Sequence, residues 1–279
     1  MKGVRADVRL VELGLAPSRE RARSLIMAGV VFSDGKRVEK AGETLGPEQT
    51  LTVKEDPIPF VSRGGLKLAK AMKAFGLSLD GAIAADVGAS TGGFTDCMLQ
   101  NGAKKVYAID VGYGQLDWRL RNDGRVVVME RMNARNMAPD WFAEPLDFAG
   151  MDVSFISIRL ILPALFSCLR PGAQAVTLVK PQFEAGRDKV GKNGVVRDPK
   201  THLCVLQDAV QGAMAAGFSV CQADFSPITG PKGNIEFLLL LEKGGDAPLT
   251  GDALAQRLQE VVEQSHGELE GTGVLDKIP

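Results

Sequence analysis

Four charged side chains stand out because each interrupts an otherwise apolar run. Asp152 closes "FAGMD", Lys180 closes "VTLVK", Glu236 lies in "GNIEF" and Lys67 lies in "SRGGLKL". Two lysines and two acids gathered at one sheet edge can hold a weakly acidic hydroxyl and take its proton. Ahead of three of them, "DVGASTGGF" sets Asp86 just before a glycine-rich turn, and Asp110 ends the next apolar run. A turn that approaches a ligand closely, followed by an acid at the neighbouring strand tip, outlines a cofactor crevice.

Two cofactors favour such a crevice, a dinucleotide and S-adenosylmethionine (SAM). The dinucleotide fingerprint needs glycine at the second position of G-x-G-x-x-G, where a diphosphate meets the backbone. Here the turn reads Gly88-Ala89-Ser90-Thr91-Gly92-Gly93, so Ser90 would crowd a diphosphate. The Asp86 carboxylate would repel one, whereas it suits the ammonium group and cationic sulfur of SAM. Asp110 can accept ribose hydroxyls from either ligand. Asp86, Gly88, Ser90, Gly92, Gly93 and Asp110, with their neighbours Thr91, Phe94 and Val111, are therefore expected to bind SAM. An NAD-dependent oxidoreductase is the disfavoured alternative.

The remaining chemistry is narrowed by what the chain lacks. Cys97, Cys168, Cys204 and Cys221 have no metal-ligand spacing, and His202 and His266 are the only histidines. A zinc site or a Ser-His-Asp triad needs more, or better placed, ligands, so no metal is expected. After the fourth expected strand stands Asp152-Val153-Ser154-Phe155, without the proline pair of an amino-group methyltransferase. No cysteine is placed to attack a cytosine ring. Methyl transfer to a hydroxyl, carboxylate or other simple nucleophile is left. A ribose 2′-OH is a poor acid and needs a positioned base. Lys180 can serve when neutral; a Lys67 cation nearby favours that form, and Asp152 and Glu236 oppose it. Which effect wins is left open by the sequence.

The elements that position these residues alternate strand and helix from Ala82 onward, the mark of a parallel sheet covered on both faces. Strands are expected near 82–87, 105–110, 125–129, 148–153, 173–179, 218–224 and 234–241, and helices near 65–76, 93–101, 156–168 and 199–216. The last helix has Asp198 as N-cap, Pro199 as first residue and Gly217 as stop. "SPITGPKG" is too short for a helical crossover, so the last two strands should be antiparallel. The fold class is thus α/β, a Rossmann-like sheet of seven mixed strands behind a small N-terminal domain. In that domain, Val8–Leu15 and Ser18–Ala28 read as helices. "VVFSDGKRV" reads as a hairpin turning at Asp34-Gly35, and "TLGPEQTLTV" adds a strand. "KEDPIPF" is a linker. The expected divisions are 1–57, 58–243 and an acidic tail at 244–279, whose "GDALAQRLQEVVEQS" is either a docked helix or loose.

Residues 1–40 hold nine Lys/Arg and five Asp/Glu, residues 41–241 hold 21 of each, and residues 242–279 hold three and eight. A basic head on a neutral body points to a polyanionic partner. No run of about 18 uncharged apolar residues is present, so no membrane-spanning helix is expected. The start of the chain lacks a secretory apolar stretch, and the reading is cytoplasmic.

At this point the motifs resemble a known family. "DVGASTGGFTDCML" resembles the SAM loop of FtsJ/RrmJ-type ribose 2′-O-methyltransferases, and Lys67, Asp152, Lys180 and Glu236 fall where that family places its K-D-K-E tetrad. Residues 4–53 resemble an S4 RNA-binding domain. Together with "VSRGGLKL", "VGYGQLDWRLRNDGRV", "DVSFISI" and "VKPQFEAG", the chain resembles the TlyA family, often labelled haemolysins, over residues 4–242. The resemblance implies SAM-dependent 2′-O-methylation of cytidines in small- and large-subunit ribosomal RNA. It also implies Lys180 as base, supported by Lys67, Asp152 and Glu236. Ribosomal RNA or ribosomal subunits are the implied partners. Arg5, Arg9, Arg19, Arg21, Arg23, Lys36 and Arg37 of the basic head are expected to contact RNA. Arg187, Lys189 and Lys192 are expected to contact it from a flap beyond the fifth strand. Tyr113 and Trp118 either stack on adenine or pack on a helix face. The competing readings are a membrane-active haemolysin and an inactive RNA-binding relative.

Overall fold

The computed structural model describes residues 3–27, 29–53, 58–245 and 249–269. They fall into two compact units, Met1–Pro59 and Phe60–Gly271. The expected linker residues 54–57 and the end of the tail from residue 270 lie outside the described residues.

In the first unit, β1 (Val4–Arg5) leads into α1 (Ala6–Glu12), and α2 spans Arg19–Met27. The backbone N–H of Arg21 donates to Ser18 Oγ, which caps the helix, and Gly29 follows it at φ 73°. α1 starts two residues earlier than expected and stops at Glu12, where Gly14 turns the chain at φ 68°. β2 (Val31–Ser33) and β3 (Lys36–Arg37) form the expected hairpin. Asp34 and Gly35 both take positive φ, the geometry whose twist matches the flanking strands. The stretch read as one further strand is two: β4 (Thr44–Leu45) pairs with β1, and β5 (Leu51–Val53) pairs with β2. Ala6, Leu10, Ala22, Leu25, Ile26 and Val31 make the core of this unit.

The second unit opens with α3 (Gly64–Ala74), then β6 (Ile83–Val87), α4 (Gly93–Gln100) and β7 (Lys105–Asp110). The single-turn α5 (Trp118–Arg121), β8 (Val126–Glu130), β9 (Leu146–Met151), α6 (Leu162–Cys168) and β10 (Leu169–Val179) follow. Then come α7 (Pro181–Glu184), α8 (Pro199–Ala215), β11 (Phe218–Phe225), β12 (Phe237–Lys243) and α9 (Gly251–Leu269). The sheet order is β11-β12-β10-β9-β6-β7-β8. β12 runs antiparallel to both its neighbours, and the pairs between β10 and β8 are all parallel.

This topology explains how Glu236 reaches the others. Parallel strands bring Val87, Asp110, Met151 and Val179 to one edge at their carboxyl ends. The antiparallel β12 brings its beginning to that same edge, with Phe237 opposite Val179. The expected strand 234–241 therefore starts three residues late, and Glu236 precedes it instead of lying within it. Likewise Asp152 and Lys180 stand one residue beyond β9 and β10. The α8 cap is as predicted: Asp198 accepts from the backbone N–H groups of Lys200 and Thr201.

Among the described residues no helix is long and apolar enough to cross a membrane. Within the acidic C-terminal segment, Gly251–Leu269 forms a docked helix. Leu258, Val261, Val262 and Ser265 of α9 are buried, Arg257 Nε donates to Ala223 O, and His266 meets His202 of α8 at 2.9 Å. Leu258→Ala removes a buried side chain and should lower unfolding free energy by about 2–5 kcal/mol. Chemical denaturation checks this, and an unchanged transition would mean that the segment contributes nothing to the core.

Candidate active site

Asp152 sits at the centre of the carboxyl edge. Its Oδ2 faces Lys67 Nζ at 3.2 Å and its Oδ1 faces Lys180 Nζ at 2.5 Å. Lys67 also contacts Glu236 Oε2 at 2.6 Å, and Lys180 donates to Ser154 Oγ at 3.0 Å. All four members of the expected tetrad thus meet in one chain of contacts, Glu236–Lys67–Asp152–Lys180. Burial opposes the charge on Lys67, but Asp152 and Glu236 outweigh it and hold the ammonium above the ordinary lysine range. Burial likewise opposes the Asp152 charge, and the two lysines outweigh it, so the carboxyl titrates below its ordinary range.

The two lysines are not equivalent. Lys67 has two carboxylates and is fixed as a cation. Lys180 has one carboxylate and one hydroxyl. Its position follows from the sequence, because Pro181 starts α7 immediately after β10 and leaves Lys180 as the extended residue before that turn.

The glycine-rich turn lies beside this cluster. Gly88 has φ 90°, and a Cβ there would come within 2.8 Å of the Asp152 carbonyl oxygen, so only glycine fits. Ser90 takes the left-handed conformation at φ 49°, and its N–H donates to Asp110 Oδ2 at 2.8 Å. Gly112 N–H donates to Asp110 Oδ1 at 2.6 Å. Asp110 therefore ties the turn to the tip of β7 as well as facing the crevice. Asp86 is buried below the turn. Thr95 donates to its Oδ2 through both N–H and Oγ1, while Oδ1 is buried without a hydrogen-bond partner. Burial, helped by Asp152 and Asp110, pushes this carboxyl up to about 7 against the Thr95 hydrogen bonds.

Two cavities adjoin at the edge and share Gly88, Ser90, Asp152 and Ser154. One, of about 460 Å³, is walled by Asp110, Val111, Gln115, Asn133 and Phe155 among others. The second, of about 310 Å³, contains the whole tetrad with Asp86, Thr91, Gly93 and Phe94. Of the expected cofactor residues only Gly92 lines neither; at φ 95°, a Cβ there would collide with Leu116 and Leu120. The fit to an elongated ligand carrying an ammonium group rests on Asp86, which lines the second cavity and keeps one oxygen without a hydrogen-bond partner. Tyr113 and Trp118 line neither cavity and are 69% and 75% exposed, so a packed helix face does not describe them.

Several residues at the site escape sequence reading. Arg63 and Ser62 line the tetrad cavity. Phe155 projects from the Asp152 loop, 91% exposed and at φ 64°, a strained backbone for a bulky residue. Glu184 clamps that loop from α7, accepting from Ser157 Oγ at 2.6 Å and from Ile158 N–H at 2.8 Å. The "DVSF" and "KPQFE" stretches carried the only signal for these contacts. On the expected flap, Lys189 and Lys192 are exposed, and the Arg187 side chain lies outside the described residues.

In the first unit, Arg5, Arg19 and Arg23 all contact Asp7. Arg21 points elsewhere, donating to Ile58 O, as the helical spacing predicts. Arg9 pairs with Glu12 at 3.4 Å, and Arg37 lies 3.9 Å from Glu39. Lys36 and Arg37 are exposed on the hairpin.

Comparison with known proteins matches the FtsJ-like methyltransferase family over residues 60–243 and the S4 domain over residues 4–51. The chain is 53% identical over 269 residues to "Putative rRNA methyltransferase YqxC" of Bacillus subtilis, covering 96% of each chain. It is 42% identical over 261 residues to the 16S/23S rRNA (cytidine-2′-O)-methyltransferase TlyA of Mycobacterium tuberculosis, covering 93% of this chain and 97% of that one. A solved structure described as "Putative hemolysin from Streptococcus thermophilus" shares 50% identity at a TM-score of 0.76, covering 96% of this chain and 97% of that chain.

The buried Asp86 makes stability depend on pH with a definite sign. Its carboxyl titrates at about 7 in the folded protein, against roughly 4 when unfolded. The folded state therefore binds the extra proton between those values. Its contribution is fully present below about pH 4 and is lost as pH rises through about 7. Asp86→Asn keeps an acceptor for Thr95 without the charge. It should be more stable than the parent at pH 8, with the difference vanishing toward pH 4 in denaturation curves. A pH-independent difference would contradict this.

Proposed function

Because the chain belongs to the FtsJ-like methyltransferase family and carries an S4 domain ahead of that core, we propose that it transfers a methyl group from SAM to a ribose 2′-OH of ribosomal RNA. A cytidine ribose in small- or large-subunit RNA is the target, the substrate named for the mycobacterial relative. Ribosomal substrates place the reaction in the cytoplasm. The observation that carries the reading is the contiguous Glu236–Lys67–Asp152–Lys180 chain in the wall of the cavity that adjoins the glycine turn.

SAM supplies a methyl group on a cationic sulfur, so the protein's task is to aim the hydroxyl and remove its proton. The free Asp86 oxygen would take the ammonium of the methionine part, and Asp110 the ribose hydroxyls. Gly88 lets the backbone approach. Lys180 in its neutral form accepts the hydroxyl proton. Lys67 keeps its own proton because two carboxylates hold it, and Asp152 fixes the two nitrogens relative to each other. Ser154 anchors Lys180 from the other side. Exposed Phe155, next to the reacting edge, offers a face on which a nucleobase can stack. The basic residues of the first unit, with Lys189 and Lys192 beyond β10, would hold the RNA backbone.

Lys180→Ala leaves Asp152 paired with Lys67, so the fold and SAM binding should survive. Loss of the general base should lower the single-turnover rate roughly 10²–10⁴-fold. A fall of less than about tenfold would assign Lys180 to orientation alone. Asp110→Ala should weaken SAM binding in calorimetry by roughly 1.5–3 kcal/mol, about ten- to hundredfold. The product should resist alkaline cleavage at one nucleotide, and a base-methylated product would refute ribose chemistry.

RNA binding should weaken with salt by about 0.7–0.9 log units per decade for each phosphate neutralised. The Lys36→Glu, Arg37→Glu double variant changes an exposed hairpin without touching a core contact. Its filter-binding slope should be shallower by one to two such steps, and its SAM affinity should be unchanged. An unaltered slope would remove the hairpin from the RNA contact.

A further inference from the structure

The first unit contains an acid that neither the catalytic edge nor the core explains. Asp7 is fully buried at the start of α1. Three guanidiniums converge on it from two elements, β1 and α2. Arg5 of β1 donates through Nε to Oδ1 at 3.0 Å and through Nη2 to Oδ2 at 3.2 Å. Arg19 of α2 donates to Oδ2 at 3.0 Å, and Arg23, one turn later, donates to the same oxygen at 3.2 Å. The Arg5 hydrogen bonds, then those of Arg19 and Arg23, overcome burial and hold the Asp7 carboxyl far below its ordinary range.

Satisfying a buried carboxylate requires one bidentate arginine, and Arg5 alone meets both oxygens. Two more cations on the same group leave an excess of positive charge, held together against mutual repulsion. About half of each of the three side chains is exposed: 49%, 53% and 53%. Most of their N–H donors make no bond to Asp7, and the guanidinium carries them in a fixed fork geometry matched to phosphate. Long side chains already ordered in the free protein lose little entropy when an anion docks.

We propose that Asp7 is a positioning residue that gathers Arg5, Arg19 and Arg23 into a preformed claw for an RNA phosphodiester. The inference rests on the reading that the first unit binds RNA. It adds that an acidic residue, by ordering the cations, strengthens the binding of a polyanion.

Charge counting and preorganisation predict opposite outcomes. Asp7→Asn makes the chain more basic by one charge, so charge counting expects binding to purified 16S and 23S rRNA to tighten. The claw predicts binding weaker by roughly tenfold, because three long side chains must then be ordered at the moment of binding. Filter binding with the full chain reads the difference, with the thermal melt and SAM affinity confirming the fold. Equal or tighter binding by a folded Asp7→Asn protein would overturn the claw.

Should Asp7→Asn fail to fold, the wild type decides by NMR. The Nε–H signals of Arg5 and Arg23 should be protected from exchange without RNA and should shift when rRNA fragments are added. Solvent-like exchange or no shift overturns the proposal. The Lys36→Glu, Arg37→Glu protein separates the two levels. If it loses RNA affinity while Asp7→Asn does not, only the claw fails. If both variants bind RNA as the wild type does, the RNA-reading role of the unit fails with it.

Discussion

The ends of the central strands are locked together by one residue, Asp152. Its side chain pairs with Lys67 from α3 and Lys180 from the end of β10. Its backbone N–H donates to Val87 O at the end of β6. Its carbonyl oxygen fills the space a side chain at position 88 would need. A shift of this one residue would therefore move Lys180, Lys67 and the floor of the glycine-rich turn together. The glycine at 88 and the aspartate at 152 are two halves of one packing requirement, although 64 residues separate them.

Burying four ionisable groups is tolerable only because their charges alternate. An unpaired ammonium in this setting would incur a desolvation penalty of several kcal/mol. Lys67 avoids that by sitting between two carboxylates, which also prevents it from giving up its proton. Among the described residues no cation pairs with Asp86, and burial drives it toward its neutral form instead. Burial is shared by both residues, and the presence of a counter-charge decides which of them stays ionised. An arriving ammonium group would supply the missing partner of Asp86, which links cofactor occupancy to the protonation of the crevice.

Much of this was legible in the sequence, for reasons that differ by element. Parallel strands buried on both faces read as continuous apolar runs, so β6, β7 and β10 showed themselves, and polar residues at their ends marked the reactive edge. Capping and turn chemistry is local: Ser18, Asp34-Gly35 and Asp198 each act on residues a few positions away. The contacts that escaped are those between distant segments. Glu184 holding Ser157 joins two strand-end loops. The docking of α9 depends on a complementary surface of α8 and β11, which an amphipathic stripe alone cannot specify. The start of β12 was misplaced because Ile235 extends the apolar pattern of the strand that follows. Only the pairing of Phe237 with Val179 shows where the ladder begins.

The two units use the same device with different charge totals. In each, a carboxylate gathers cations from separate elements: Asp152 takes Lys67 and Lys180, and Asp7 takes Arg5, Arg19 and Arg23. At the catalytic edge, Glu236 brings acids and bases to parity. Parity keeps the field small where, in the proposed reaction, a hydroxyl proton would pass to neutral Lys180. At Asp7 no second acid among the described residues contacts the three arginines, and each of them stays about half exposed over a fully buried anchor. The choice of cation follows the same division. Lysine can exist in the neutral form that proton transfer requires, whereas arginine cannot be deprotonated in a protein. Arginine offers instead the planar fork that phosphate recognition uses. Substituting one cation for the other in either cluster would keep the charge and lose the chemistry.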